Sequence, residues 1–208
     1  MTKKRQNPVK LVLLFAIMAG LILGYYHHLS HRPVKAPVSK NLTEVDEVLL
    51  RNLSTDYPPS PKEVVKYYAQ ITKCFYDGNY TPEQLPELAR RSRELFDDEL
   101  RANQTDEDYM RNLQLDIDYY KQNNLRISSF ATSSSVDVEY KKTPEGDLAS
   151  LYCLFNIREG TTLKSSNHVF ILRRDGSGHW KILGWTLADD EEEEAGREDV
   201  SQKEQEQK

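Results

Sequence analysis

The stretch 164–187 constrains this chain more than any other, because it reads as two strands joined by a tight turn with apolar residues on both faces. Its first arm is Lys-Ser-Ser-Asn-His-Val-Phe-Ile-Leu-Arg-Arg, its turn Asp-Gly-Ser-Gly, its second arm His-Trp-Lys-Ile-Leu-Gly-Trp-Thr-Leu. Asp175-Gly176 and Gly178 are suited to the positive φ that a hairpin turn needs. Phe170 and Leu172 oppose Val169 and Ile171, while Trp180 and Ile182 oppose Leu183, Trp185 and Leu187. A strand wetted on one side alternates apolar with polar, so each face here needs a cover. Helices upstream can supply one cover; the other face asks for a partner.

Those helices announce themselves through caps. Ser60-Pro61-Lys62-Glu63 has Ser as N-cap, Pro at the first helical position and Glu placed for a capping box. The helix it opens runs 63–77, with Val64, Tyr68, Ile71 and Phe75 on one stripe and Tyr67 and Cys74 beside it, and Gly78 ends it. Thr81-Pro82-Glu83-Gln84 repeats the signature; Pro86 is expected to break this start into one turn before the helix resumes through Leu100. A third helix starts at Thr105, turns Met110, Leu113, Ile117 and Tyr120 inward, and ends at Asn123-Asn124. The period then changes to two: 125–130 and 136–142 read as one bent strand, and 148–158 as another. Three helices followed by four antiparallel strands make an α+β domain over 60–188.

The N-terminal part has a different character. Residues 1–8 are basic, and 11–26 carry no charge. With its flanks, the segment 9–28 just spans a hydrocarbon layer of about 30 Å at about 1.5 Å per residue, with Tyr25 and Tyr26 at an interfacial belt. No small-x-small cleavage site follows, so it reads as an uncleaved signal-anchor. The basic residues before the span crowd closer than Arg32, Lys35 and Lys40 after it, which places the N-terminus in the cytoplasm and the domain outside the cell membrane. Residues 29–59 form a stalk with Pro33 and Pro37, and a short helix is expected within it at 43–53, where Thr43 and Asp46 suit a cap. The tail 189–208 opens on a run of acids that cannot bury enough apolar surface to order itself.

The net charge of −5 belongs to that tail, and the nearly neutral centre offers no basic field for nucleic acid. Cys74 and Cys153 lack metal-ligand spacing, and the choice between a disulfide and two buried thiols stays open. No metal motif, P-loop or GxGxxG is present, so no cofactor is implied.

This element order, closed by Gly-His-Trp-Lys-Ile-Leu-Gly-Trp, resembles the NTF2-like (cystatin-like) superfamily, which implies a strongly bent sheet wrapping the helices into a cone with a pocket at its wide end. The run Tyr-Pro-Pro-Ser-Pro-Lys-Glu-Val-Val-Lys-Tyr-Tyr with the Lys-Ile-Leu-Gly-Trp ending is similar to an uncharacterised bacterial family of single-pass membrane proteins. The layout alone also resembles the bitopic scaffold subunit of type IV secretion machines. NTF2-like isomerases and dehydratases work with an Asp or an Asp/His pair inside the cone, which makes His168, Asp116 and Asp118 the residues to inspect. The expected cone wall comprises His168, Tyr68, Tyr120, Phe170 and Trp180. Val169, Ile171, Leu183, Trp185 and Leu187 are expected on the outer sheet face, where an apolar patch fits a homodimer or a protein partner. A binding or scaffold module is the favoured reading; a small-ligand binder or an isomerase-like or dehydratase-like enzyme using the cone is the alternative.

Overall fold

The computed structural model describes residues 42–188, and in them five α-helices precede a five-stranded antiparallel sheet, an α+β arrangement. The expected span 9–28 and acidic tail lie outside the described residues; within them, no helix is long and apolar enough to cross a membrane.

Helix α1 (Glu44–Leu50) is closed by a capping box: the Thr43 hydroxyl accepts from Asp46 N–H, and the Asp46 carboxylate accepts from Thr43 N–H. It is the short helix expected in the stalk, and it turns Val45 and Val48 into the core. Helix α2 (Pro61–Asp77) starts where Ser60 accepts from Glu63 N–H and stops at Gly78, whose φ of 72° lets the chain leave in the left-handed region. Val64, Val65, Tyr67, Tyr68, Ala69, Ile71, Cys74 and Phe75 of this helix are all buried, so it forms the spine of the core. Each large apolar side chain so buried stabilises the fold by roughly 1.5–3 kcal/mol before entropy is counted.

The expected second helix is corrected. Pro86 does not break it; the helix α3 (Gln84–Glu94) begins two residues earlier, so Pro86 sits in the first turn, where its missing N–H would have had no helical partner. The break comes instead after Glu94, before a separate α4 (Asp98–Ala102). Its cause is tertiary. Leu95 C=O accepts from Ile182 N–H at 2.8 Å, and Asp97 N–H donates to Ile182 C=O at 2.8 Å, so 95–97 runs as a short parallel bridge beside the sheet. Helix α5 (Asp106–Gln122) begins at Thr105, whose hydroxyl accepts from Asp108 N–H, and buries Leu113 and Ile117.

The expected first strand is also two. β1 (Leu125–Thr132) and β2 (Glu139–Thr143) lie end to end along the same edge of β3 (Gly146–Glu159), separated by a 3-10 turn at Ser135–Asp137. β4 (Thr162–Arg174) pairs with β3, and β5 (Trp180–Leu187) pairs with β4. In the β4–β5 turn only Gly178 takes positive φ; Gly176 does not, because the Asp175 carboxylate fastens the loop by accepting from the Ser177 and His179 N–H groups. Tyr57 ties the preceding proline-rich linker to this hairpin, donating to Trp180 C=O at 2.9 Å and stacking on His179.

Candidate functional site

The helix-facing side of the sheet carries Ala149, Leu151, Cys153 and Phe155 from β3, and Phe170 and Leu172 from β4, all buried. Phe170 is the hub of an aromatic cluster: Tyr68 from α2 meets it edge-on at 5.7 Å, and Trp185 from β5 stacks on it at 5.7 Å. Phe96 closes the group, 5.8 Å from Tyr68 and 5.9 Å from Trp185. Four rings from α2, the 95–97 segment, β4 and β5 thus pack against one another on this face.

His168 shares this face, directly opposite Cys153, with its ring edge-on to Phe155 at 5.5 Å. Its Nε2 lies 2.9 Å from the Ser166 hydroxyl, and burial pushes its pKa below the ordinary histidine value. Among the described residues no carboxylate is hydrogen-bonded or ion-paired to it. Asp116 is exposed on α5, and Asp118 accepts from the Gln114 amide on the same helix.

The other expected wall residues separate. Tyr120 stacks on Tyr76 at 4.0 Å, between α5 and α2, and Trp180 sits at the far end of β5 beside Tyr140 at 5.8 Å. The expected outer-face set divides too. Val169 pairs with Tyr152 and Thr186, and Ile171, 40% exposed, pairs with Ser150 and Gly184. Trp185 faces the helices and touches Tyr68, not Ile171. The reason is a bulge: β4–β5 register slips between Ile171 and Leu172, so the half-buried Leu183 is the extra residue. After it, Trp185 opposes Phe170 and Leu187 opposes His168, each rejoining the Ile182 face one residue out of simple alternation.

A cleft of about 480 Å³ lies where α1, α2 and β1 meet. Tyr67 and Phe130 form apolar walls, while Gln70, Lys73 and Ser128 bring polar groups to it. Lys73 is ion-paired to Glu44 and lies 3.7 Å from Asp77. Burial alone would lower its pKa, but those carboxylates more than reverse this and hold it above the ordinary value. Tyr67 is committed to structure, donating to Val48 C=O at 2.8 Å. Cys74, on the same wall, is a free buried thiol pushed up to about 11, too high for a nucleophile near neutrality. Among the described residues no group of acids, histidines or cysteines is placed to hold a metal.

A family model described as a domain of unknown function (DUF6715) matches residues 1–185. The chain belongs to that family. No curated protein matches it. A solved structure from Catenulispora acidiphila is similar at 13% identity over 63% of this chain and 92% of that one, with a TM-score of 0.37.

The α1–α2–β1 cleft went unseen in the sequence because two of its determinants are tertiary. Its polar floor depends on the β1 bulge, where register slips between Ile127 and Ser129, and its rim depends on α1 folding back on α2. Gln70 gave the one local hint, a polar residue beside the buried stripe of an otherwise apolar-faced helix.

Proposed function

We propose that this chain is a membrane-anchored binding module, with residues 9–28 as the anchor and an NTF2-like domain outside the cell membrane, meeting a protein partner or a second copy through the outer face of its sheet. The observation that carries the reading is the division of labour between the sheet's faces. The inner face is packed by Tyr68, Phe96 and Phe170, with Trp185 stacked on Phe170 at its rim, and its one histidine has a serine hydroxyl for a partner. The outer face leaves Ile171 40% exposed beside Val169 and Tyr152, in the middle of the sheet rather than at a frayed end.

The test is site-specific photo-crosslinking in the full chain, in its own membrane. A photoreactive residue at Ile171 is expected to give an adduct, of twice the chain mass or with a second protein, while one at the exposed Arg111 on α5 gives none. Adducts from Arg111 alone would overturn the assignment of the face. Protease added to spheroplasts is expected to digest the domain; protection until the membrane is opened would overturn the topology. A second reading, small-ligand binding, is supported by the mixed apolar and polar lining of the 480 Å³ cleft between α1, α2 and β1.

A further inference from the structure

A sheet has two edges, and the two edges of this one differ in what meets them. At β5, Ile182 turns both main-chain groups outward. The chain's own segment 95–97 pairs with them: Ile182 N–H donates to Leu95 C=O and Ile182 C=O accepts from Asp97 N–H, each at 2.8 Å. A short parallel piece is thus added to that edge. At β1, Ser133 N–H donates to Tyr152 C=O at 2.9 Å, so Ser133 points toward β3. The register is regular from Thr132 back to Ser129, and alternation turns Ala131 and Ser129 the same way. Phe130 and Thr132 therefore present N–H and C=O away from the sheet, and among the described residues nothing pairs with those groups.

Beside Phe130 lies the cleft of about 480 Å³ between α1, α2 and β1. Ser129 and Phe130 both line it, although their side chains lie on opposite faces of the sheet, so the cleft opens on the strand's edge. Its walls come from α1 and α2, with Val48 and Tyr67 apolar and Gln70 polar. The Gln70 carboxamide is half-buried and makes no hydrogen bond to the described residues. It carries an acceptor and two donors, the complement of a peptide group. A bare edge invites open-ended pairing, and proteins limit this with bulges and short strands. Here the slip between Ile127 and Ser129 on one side and the 3-10 turn at Ser135–Asp137 on the other leave Ser129–Thr132 as the regular stretch. That stretch is long enough for an addition like the one at Ile182 and too short to template a sheet.

We propose that this cleft takes an extended peptide segment of another protein, added to β1 at Phe130 as 95–97 is added to β5 at Ile182. The proposal names a ligand class for the second reading above, and rests on that reading; it is independent of the outer sheet face. Main-chain hydrogen bonds hold the peptide, and its side chains set preference. The residue opposite Phe130 lies on the helix-facing side, where Tyr67 lines the cleft, and is apolar. Of the four charged side chains in the lining, Glu44 is paired with Lys73 and Arg51 with Asp56, while Glu47 is exposed, so a basic residue suits that end.

The test is selection of a displayed library of random heptapeptides on the full chain in neutral detergent, with Gln70→Trp, which fills the cleft, as the counter-target. Sequences are expected to enrich on the native chain and to bind the variant about tenfold more weakly or worse by fluorescence anisotropy. Backbone N-methylation of the best peptide, one residue at a time, is then expected to cost about tenfold at alternate positions and under about twofold between them, because only every second N–H of an added strand points at β1. That scan needs no variant chain, so it decides even where Gln70→Trp folds poorly. Enriched peptides that bind both chains equally, or a scan without alternation, would overturn the proposal. Sequences matching residues 29–41 of this chain would assign the groove to its own stalk and overturn an external occupant. A fragment library read by thermal shift separates the two levels. If no peptide enriches while fragments raise the melting temperature of the native chain and not of Gln70→Trp, the cleft binds small ligands and the peptide assignment falls; if neither binds, both readings fall.

Discussion

Asp97 and Arg173 stand 76 positions apart in sequence and meet in a two-pronged ion pair, with Arg173 Nε 3.1 Å from Asp97 Oδ2 and a terminal nitrogen on Oδ1. The same carboxylate caps α4 by accepting from Glu99 N–H at 3.0 Å, and the Asp97 backbone is bonded to Ile182. This one residue, through its buried side chain and its backbone N–H, thus joins the broken helix, β4 and β5.

Asp97→Ala removes the cap and leaves Arg173 without its main partner, for an expected loss of about 2–4 kcal/mol; Asp97→Asn keeps a cap and is expected to cost about half as much. Urea unfolding of the two variants checks this, and equal, small losses would sink it. Burial alone would raise the carboxyl pKa, but the hydrogen bonds from Arg173 and Glu99 and the charges of Arg173 and Lys181 hold it below its ordinary value. A depressed folded pKa contributes stability that is present above the unfolded value, about 3.9, and lost as pH falls through the folded one. The gap between native chain and Asp97→Asn is expected to close below about pH 4.

His168 gives a pH dependence at another place. Its folded pKa is lowered by burial from 6.5, so the unfolded chain binds the extra proton first as the solution is acidified. Stability is therefore full above the unfolded value and declines as pH falls from about 6.5 toward the folded pKa. His168→Gln is expected to flatten this slope while leaving stability at pH 8 within about 1 kcal/mol. Unfolding midpoints at pH 5, 6, 7 and 8 decide it; an unchanged slope in the variant would place the titration elsewhere.

What was legible in the sequence was what local chemistry decides. Thr43, Ser60 and Thr105 cap helices because a hydroxyl three residues before an N–H can satisfy it with no help from the rest of the chain. The helix break at 95–97 depends on Ile182, which arrives much later and offers its N–H and C=O to Leu95 and Asp97. The face of Trp185 depends on the Leu183 bulge, and nothing in Lys-Ile-Leu-Gly-Trp distinguishes a bulged strand from an alternating one. The β4–β5 hairpin itself was plain because its turn chemistry and its apolar arms agree.

The two cysteines give a chemical check on burial. Both are free, and burial pushes Cys74 up to about 11 and Cys153 up to about 12. At pH 8 the thiolate fraction is then small, and both sulfurs lie inside the core. Iodoacetamide is expected to leave the folded full chain unlabelled over an hour and to label both positions in urea, read as two added groups by mass spectrometry. Full labelling of Cys153 in the folded chain would contradict the packing of β3 against α2.

The face assignment of β4 and β5 predicts a graded set of losses. Phe170 is buried at the centre of the ring cluster, so Phe170→Ala is expected to cost about 3–5 kcal/mol. Trp185 stacks on it but is 41% exposed, so Trp185→Ala is expected to cost about 1–2 kcal/mol, with a shift in tryptophan emission. Ile171→Ala, on the other face, is expected to cost under about 1 kcal/mol, because much of that side chain is already in water. Chemical unfolding of the three variants orders them. If Ile171→Ala proved costlier than Trp185→Ala, then either the bulge at Leu183 does not turn Trp185 toward Tyr68 or the outer face is already covered in the isolated chain. A dilution series separates these two, since a loss that fades as the chain is diluted belongs to an interface between copies.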